Sequence, residues 1–278
     1  MKLLKGKLVA DKITEELKNE VLKLEKKSKL AVIRVGNNYD DISYEKGALK
    51  RCETIGIETK SVILDENIST DDYLSELELL NNDDSVSGIL ALRPLPNHLD
   101  ENIIKHRINP LKDVDCFNPI NVSKLIEGDE SGFIPCTASA VIEILKHNNI
   151  KIEGSNICVL GRSMIVGKPV SMLLLNENAT VTTAHSRTKN LKEVTKNCDI
   201  LVVAVGQAKM IDSSYIKEGC IVIDVGINVD DEGKLCGDVD TLDVIDKVRY
   251  ITPVPMGVGS VTTSILSKQV IKAYNNYK

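Results

Sequence analysis

Apolar residues at Ile13, Leu17, Val21 and Leu24 recur at helical spacing within residues 12–27, and the run that follows, LAVIRV, is short, continuous and rich in β-branched residues. The first pattern predicts an amphipathic helix and the second a strand covered on both faces. The alternation continues with a helix over about 42–55 closed by Gly56, a strand near 60–64, a helix opened by Ser69-Thr70-Asp71-Asp72, and a strand in SGILAL. Strands alternating with helices predict a parallel sheet with helices on both faces. Arg93-Pro94-Leu95-Pro96 ends that sheet, and the irregular stretch over about 109–129 carries the change of domain.

The second half opens with a helix over 137–147 and alternates again. Strand NICVL leads into Gly161-Arg162-Ser163, a helix follows Gly167-Lys168-Pro169, and further strands lie in ATVTTA, DILVVAV and GCIVIDVG. A last helix over 262–274 is expected to return to the first domain. The fold class expected is therefore α/β: two α/β domains with a cleft between them, the C-terminal one a Rossmann-type, doubly wound parallel sheet. The boundaries expected are 1–118 plus 262–278 for one domain and 119–261 for the other. The chain has no internal repeat and no low-complexity tract.

With 278 residues, 42% of them hydrophobic, two cores can be filled. The 35 basic and 40 acidic residues leave a net charge of -5 with no basic stripe, which argues against nucleic acid and for a small-molecule partner. The N-terminus passes from a short apolar stretch into a charged helix, so neither a secretory signal nor a membrane anchor is expected, and no run is long enough to span a bilayer. Seven scattered cysteines with no C-x-x-C pair fit neither a zinc site nor a disulfide framework and read as small buried hydrophobes in a reducing cytoplasm. The four histidines, at 98, 106, 147 and 185, form no ligand-spaced pair, so no metal is expected.

Chemistry concentrates first in ICVLGRSMIVGKPVSMLLL, a buried strand, a tight turn with two glycines, and a helix start. Such a turn aims backbone N–H groups and the positive end of a helix dipole at a phosphate. The spacing is G-x-x-x-x-x-G where the dinucleotide fingerprint is G-x-G-x-x-G, so an ordinary ligand-free turn stays open on this segment alone. After ATVTTA, where an acidic residue would hold an adenosine ribose, the chain has His185-Ser186-Arg187-Thr188. Hydroxyls and arginines suit a 2′-phosphate, which favours NADP over NAD, with a solvated surface charge as the other reading of Arg187.

Together with RVGNNYDDISYEKGALKRCETIGIE, GILALRPLP and PLKDVDCFNPINVSKL in the first half, the runs GRSMIVGKP, ATVTTAHSRT, DILVVAVG, IVIDVGIN, GDVD and ITPVPMGVG resemble the methylenetetrahydrofolate dehydrogenase/cyclohydrolase family over nearly the whole chain. The resemblance implies a folate-binding catalytic domain, an NADP-binding Rossmann domain, a homodimer and a place in one-carbon metabolism. It implies Gly161, Arg162, Ser163, Ser186 and Ile227 on the cofactor, with Arg162 and Ser186 near the 2′-phosphate. It implies Tyr44 against the folate ring, Asp115 on its polar edge as the second catalytic residue, and Pro255, Gly257 and Gly259 bordering the same pocket. Read without it, Tyr44 is a half-buried helix aromatic, and Asp113 and Asp115 are turn residues.

Members with both activities carry a lysine four residues after the tyrosine, one helical turn on, and a glutamine two residues before the first proline of the P-L-P run. Here those positions are Ala48 and Leu92, and Met256 and Ser260 replace a glycine and a proline. Hydride transfer is a positioning problem, whereas hydrolysis of the methenyl product needs proton transfer by a group of tuned pKa. Oxidation is therefore expected to survive and cyclohydrolase activity to be weak or absent. Lys46 and Lys50 lie about 160° and about 120° from Tyr44 around a regular helix and do not replace the lost amine. A dehydrogenase of another small substrate and a non-catalytic binding protein are the competing readings.

Overall fold

The computed structural model describes residues 2–276. A short strand β1 (Lys2–Leu3) and helix α1 (Gly6–Val21) open the chain. Strand and helix alternate through β2 (Lys29–Val35), α2 (Tyr39–Ile55), β3 (Glu58–Leu64), α3 (Thr70–Asn81) and β4 (Gly88–Ala91). Three helices follow, α4 (Glu101–Arg107), α5 (Pro119–Glu127) and α6 (Cys136–His147). Alternation resumes with β5 (Asn156–Leu160), α7 (Gly167–Asn176), β6 (Thr180–Ala184), α8 (Leu191–Lys196), β7 (Ile200–Val203) and β8 (Ile221–Asp224). The short pieces β9 (Asn228–Val229), β10 (Leu235–Cys236), α9 (Thr241–Val244) and β11 (Tyr250–Ile251) lead to α10 (Gly259–Asn276).

Two compact units result, 12–135 with 263–276 and 2–11 with 136–262. The first holds a parallel sheet in the order β3-β2-β4, the second a six-stranded parallel sheet in the order β1-β11-β8-β7-β5-β6. The divide falls later than the expected 118/119. Hydrogen bonds explain the difference: Asn121 Nδ2 donates to Asp113 Oδ2 at 2.9 Å and to Pro110 O at 3.0 Å, tying α5 to the unit before it. Residues 2–11 are a second correction. Strand β1 pairs with β11 at the edge of the six-stranded sheet, and two residues are too few to show a period.

Local signals explain most element ends. Gly56 closes α2 at φ 97, where a side chain would be strained, and Ser69 Oγ accepts the Asp72 N–H at 3.1 Å to open α3. The interior strands β2, β5, β7 and β8 are buried almost throughout, and so is the edge strand β4, whereas the opposite edge strand β3 is largely exposed. All seven cysteines are buried, and none is in a disulfide. Among the described residues, no helix is long and apolar enough to cross a membrane.

One buried cation helps to fix the first unit. Lys112 is fully buried, and its Nζ donates to the carbonyls of Asn81 at 2.8 Å, Asp83 at 2.9 Å and Leu80 at 3.3 Å, capping the C-terminal end of α3. Burial lowers its pKa and the nearby Asp83 and Asp84 oppose that shift. Lys112→Met, which keeps the volume and removes the donor, should destabilise the protein by about 2–4 kcal/mol because buried carbonyls lose their partner. A urea midpoint indistinguishable from that of the wild type would contradict this role for Lys112.

Candidate active site

In the six-stranded sheet the chain leaves β5 for β6 on one side and then crosses to β7 on the other. A crevice at such a switch point, outside the carboxyl ends of the strands, is where open α/β sheets take ligands. The turn after β5 lies there. Gly161 adopts φ 139, and a Cβ on it would overlap the Ala204 carbonyl oxygen; a Cβ on Gly167 would overlap the backbone of Gly161 itself. The two glycines of the long-spaced motif therefore meet across the turn. Ser163 Oγ accepts the N–H groups of Val166 at 3.1 Å and Gly167 at 3.4 Å, setting the start of α7.

Leu160 pairs with Ala184, and Gly161 N–H donates to Ala184 O at 2.9 Å, so the turns after β5 and β6 leave the sheet side by side. Arg162, Ser186 and Arg187 are all exposed on them. The second turn is held by Thr188 Oγ1 on the His185 N–H (2.9 Å) and by His185 Nδ1 on the Arg187 N–H (3.1 Å), which gives His185 a local role. Tight glycine backbone, a helix N-terminus and exposed guanidinium and hydroxyl groups fit a dinucleotide and its phosphates.

Ile227, Pro255, Gly257 and Gly259 line one cavity of about 230 Å³ in this unit, between the end of β8 and the loop before α10. Two buried carboxylates brace its walls. Asp238 accepts the N–H groups of Val205 (2.7 Å), Gly206 (3.1 Å) and Gln207 (2.8 Å) and the Asn228 amide (2.9 Å). Asp224 accepts those of Gly226 (3.0 Å), Asp238 (3.1 Å) and Val239 (3.0 Å). A Cβ on Gly226 or Gly237 would overlap one of these carboxylates. Burial pushes the Asp224 carboxyl up to about 7 against the pull of its three N–H donors, and the neighbouring Asp238 raises it further. The loop rests on Gly6, whose N–H donates to Met256 O at 2.9 Å. Met256 itself is 59% exposed at φ 78, a left-handed conformation in which the resembled family's glycine is unstrained.

In the other unit, Tyr44 sits half-buried on α2. Glu45, Ala48, Cys52 and Ile55 form the helix's buried stripe, while Lys46 and Lys50 are exposed. The helix runs without a break from Asn38, whose side chain caps it, to Gly56, so the register that puts Ala48 one turn beyond Tyr44 holds. Leu92 is buried and continues the β2–β4 ladder, its N–H on Ile33 O at 3.0 Å. Asp115 receives Arg93 Nη2 on its carboxylate at 3.1 Å, and the same guanidinium stacks 4.6 Å over the Phe117 ring. Asp113 is the turn residue of the pair: fully buried, it accepts the N–H groups of Phe117 (2.9 Å) and Asn118 (2.8 Å).

Sequence reasoning missed Arg93, Asp224, Asp238 and the pair formed by Arg34 Nε and Glu45 Oε2 at 2.7 Å, both nearly buried. Arg34 alone left a signal, as a charge inside the otherwise apolar run LAVIRV.

Residues 4–115 match the model of the tetrahydrofolate dehydrogenase/cyclohydrolase catalytic domain, and residues 135–278 that of the tetrahydrofolate dehydrogenase/cyclohydrolase NAD(P)-binding domain. The chain is 61% identical over 274 residues to a protein named bifunctional protein FolD from Clostridioides difficile (strain 630), covering 98% of this chain and 96% of that one. The crystal structure of a bifunctional FolD methylenetetrahydrofolate dehydrogenase/cyclohydrolase from Campylobacter jejuni is similar with a TM-score of 0.96 at 44% identity, over 99% of each chain. The Trypanosoma brucei methylenetetrahydrofolate dehydrogenase-cyclohydrolase, solved with NADP and an inhibitor, is similar with a TM-score of 0.93 at 36% identity, over 99% of this chain and 97% of that one.

Two measurements check the bracing of the cavity. With its folded pKa raised from 3.8 to about 7, Asp224 keeps a proton in the folded state that it loses in the unfolded state, so its contribution to stability falls as pH rises across that interval. Carbon NMR of the Asp224 carboxyl should give a midpoint well above the ordinary carboxylate range; a midpoint below 4 would contradict it. Met256→Gly should stabilise the fold by about 0.5–1 kcal/mol by removing left-handed strain. A clear loss of stability in that variant would show that the Met256 side chain contributes more than its backbone costs.

Proposed function

The chain belongs to the tetrahydrofolate dehydrogenase/cyclohydrolase family, and we propose that it is an NADP-dependent methylene-tetrahydrofolate dehydrogenase whose cyclohydrolase activity is weak or absent. One observation carries the second half of that reading. The two positions at which the resembled family places its lysine and glutamine are a buried alanine, Ala48, and a buried leucine, Leu92, in an unbroken helix and ladder. Neither side chain can donate or accept a proton.

Gly161, Arg162, Ser163, Ser186 and Ile227 would hold the dinucleotide, with Arg162 and Ser186 at its 2′-phosphate; the exposure of Arg162, Ser186 and Arg187 beside the glycine turn supports NADP. A dinucleotide held by these residues would supply a hydride acceptor, to which the hydrogen of a methylene C–H bond would pass with its electron pair, leaving an amidinium cation between two nitrogens. The chain's own task is positioning. Tyr44 would lie against the folate ring and Asp115, oriented by Arg93, would hold its polar edge. Pro255, Gly257 and Gly259 would border the reacting carbons; their sharing of one cavity with Ile227 supports that placement, because the cofactor and the folate must meet. No step of the oxidation asks for a proton.

Opening the methenyl ring is different: a water must lose a proton and a ring nitrogen must gain one, help worth about 10²- to 10⁴-fold that Ala48 and Leu92 cannot give. Lys46 and Lys50 are exposed on other faces of the helix. The names of the curated relatives favour the fully bifunctional reading, and the same assay separates the two. The proposal includes a homodimer in the cytoplasm, supplying one-carbon units for purine synthesis; seven cysteines without a disulfide suit a reducing compartment.

With purified protein, NADP and methylene-tetrahydrofolate, NADPH and methenyl-tetrahydrofolate should appear mole for mole, and the methenyl compound should then decay at its enzyme-free rate. Faster decay would restore the cyclohydrolase, and absence of NADPH would remove the folate assignment.

A further inference from the structure

The positions that lack the lysine and the glutamine are not surrounded by apolar packing alone. Glu45 precedes Ala48 by three residues on the buried stripe of α2, so their Cβ atoms are neighbours about 5–6 Å apart. Ile33 of β2 lies opposite Ala91 of β4, and one step further the ladder puts Arg34 opposite Leu92 on the face turned away from the Ile33 and Ala91 core, about 5 Å across the strands. Arg34 and Glu45 are the two groups that join: Nε to Oε2 is 2.7 Å, with 6% and 7% of the two side chains exposed. The guanidinium also donates to the Gly36 carbonyl and to Asn37 Oδ1, the latter at 3.4 Å. The buried ion pair thus joins the helix position one turn before Ala48 to the strand position beside Leu92.

We propose that the Arg34–Glu45 pair is a determinant of reaction specificity, occupying the ground of the missing lysine and glutamine with a charge that cannot move a proton. The inference rests on the dehydrogenase reading above. A guanidinium does not release its proton at any pH a protein survives, and it is shared here among a carboxylate, a carbonyl and an amide. The arrangement leaves hydride transfer untouched and gives hydrolysis neither an acid, since the guanidinium keeps its protons, nor a free base, since the Glu45 carboxylate is buried on that guanidinium. It also makes the two designs incompatible. A lysine restored at position 48 would meet Glu45 one turn away and be held there as an ammonium, paired and protonated, where catalysis needs an amine able to take a proton.

The test restores the two family residues, Ala48→Lys with Leu92→Gln, once with the native pair and once with Arg34→Leu and Glu45→Val, a replacement of both ions together that leaves no buried charge unpaired. Methenyl-tetrahydrofolate is supplied directly, and its loss is followed above the enzyme-free rate. Melting temperature is recorded for each variant. With the native pair the loss should stay at background; without it, hydrolysis should rise by about 100-fold or more. Equal rates in the two backgrounds, both inert or both active, would overturn the proposal and leave the pair as a clamp between α2 and β2, which changes the melting temperature alone. Should the fourfold variant fail to fold, Ala48→Lys by itself decides the matter, since it keeps the pair: hydrolysis in that variant overturns the proposal. Hydrolysis by the wild-type protein would instead remove the reading that its cyclohydrolase activity is weak or absent, and is seen without any variant.

Discussion

A polar or charged group can be taken out of water only where its hydrogen-bonding atoms find other partners, and this constraint fixes the loops of both units. Asp238 and Asp224 collect seven donors between them from the segments after β7, β8 and β10. Asp113 does the same for the start of α5, and Lys112 for the end of α3. None of these four needs to touch a ligand to matter. Each turns an irregular segment into one of defined position, and the glycines at 226 and 237 follow because a side chain there would displace a carboxylate.

The site draws on the same constraint. At the switch point of the larger sheet, the backbone is shaped by two glycines in contact, and the neighbouring cavity is framed by segments that Asp224 and Asp238 hold. On α2 the buried stripe carries Glu45 paired to Arg34 and then an alanine. On the reading proposed here, positioning survives in this protein and proton transfer does not, because oxidation needs the first alone while hydrolysis needs both.

How much of this the chain announces depends on what a residue's neighbours in sequence say about it. The ends of α2 and α3 are written locally, in Gly56 and in Ser69 with Asp72, and strand β5 has the limits that NICVL suggests. Ala48 and Leu92 stand out because the runs around them resemble a known pattern without a gap. Strands β1 and β11 are two residues each and exist through pairing with distant partners, which no local period records. The buried charges are hidden for a related reason: Asp113 and Asp115 look alike in KDVDCF, yet one is a sealed turn acceptor and the other pairs with Arg93. The domain boundary moved because α5 is bound by Asn121 to the segment before it, a contact that composition does not reveal.

The central claim is that this protein moves a hydride and no proton. It is tested most directly by single-turnover formation of NADPH, measured with the methylene carbon carrying deuterium and, separately, with protiated substrate in heavy water. The account predicts a slower turnover for the deuterated carbon and none of that slowing from the solvent. A turnover slowed by heavy water and indifferent to the isotope on carbon would contradict it.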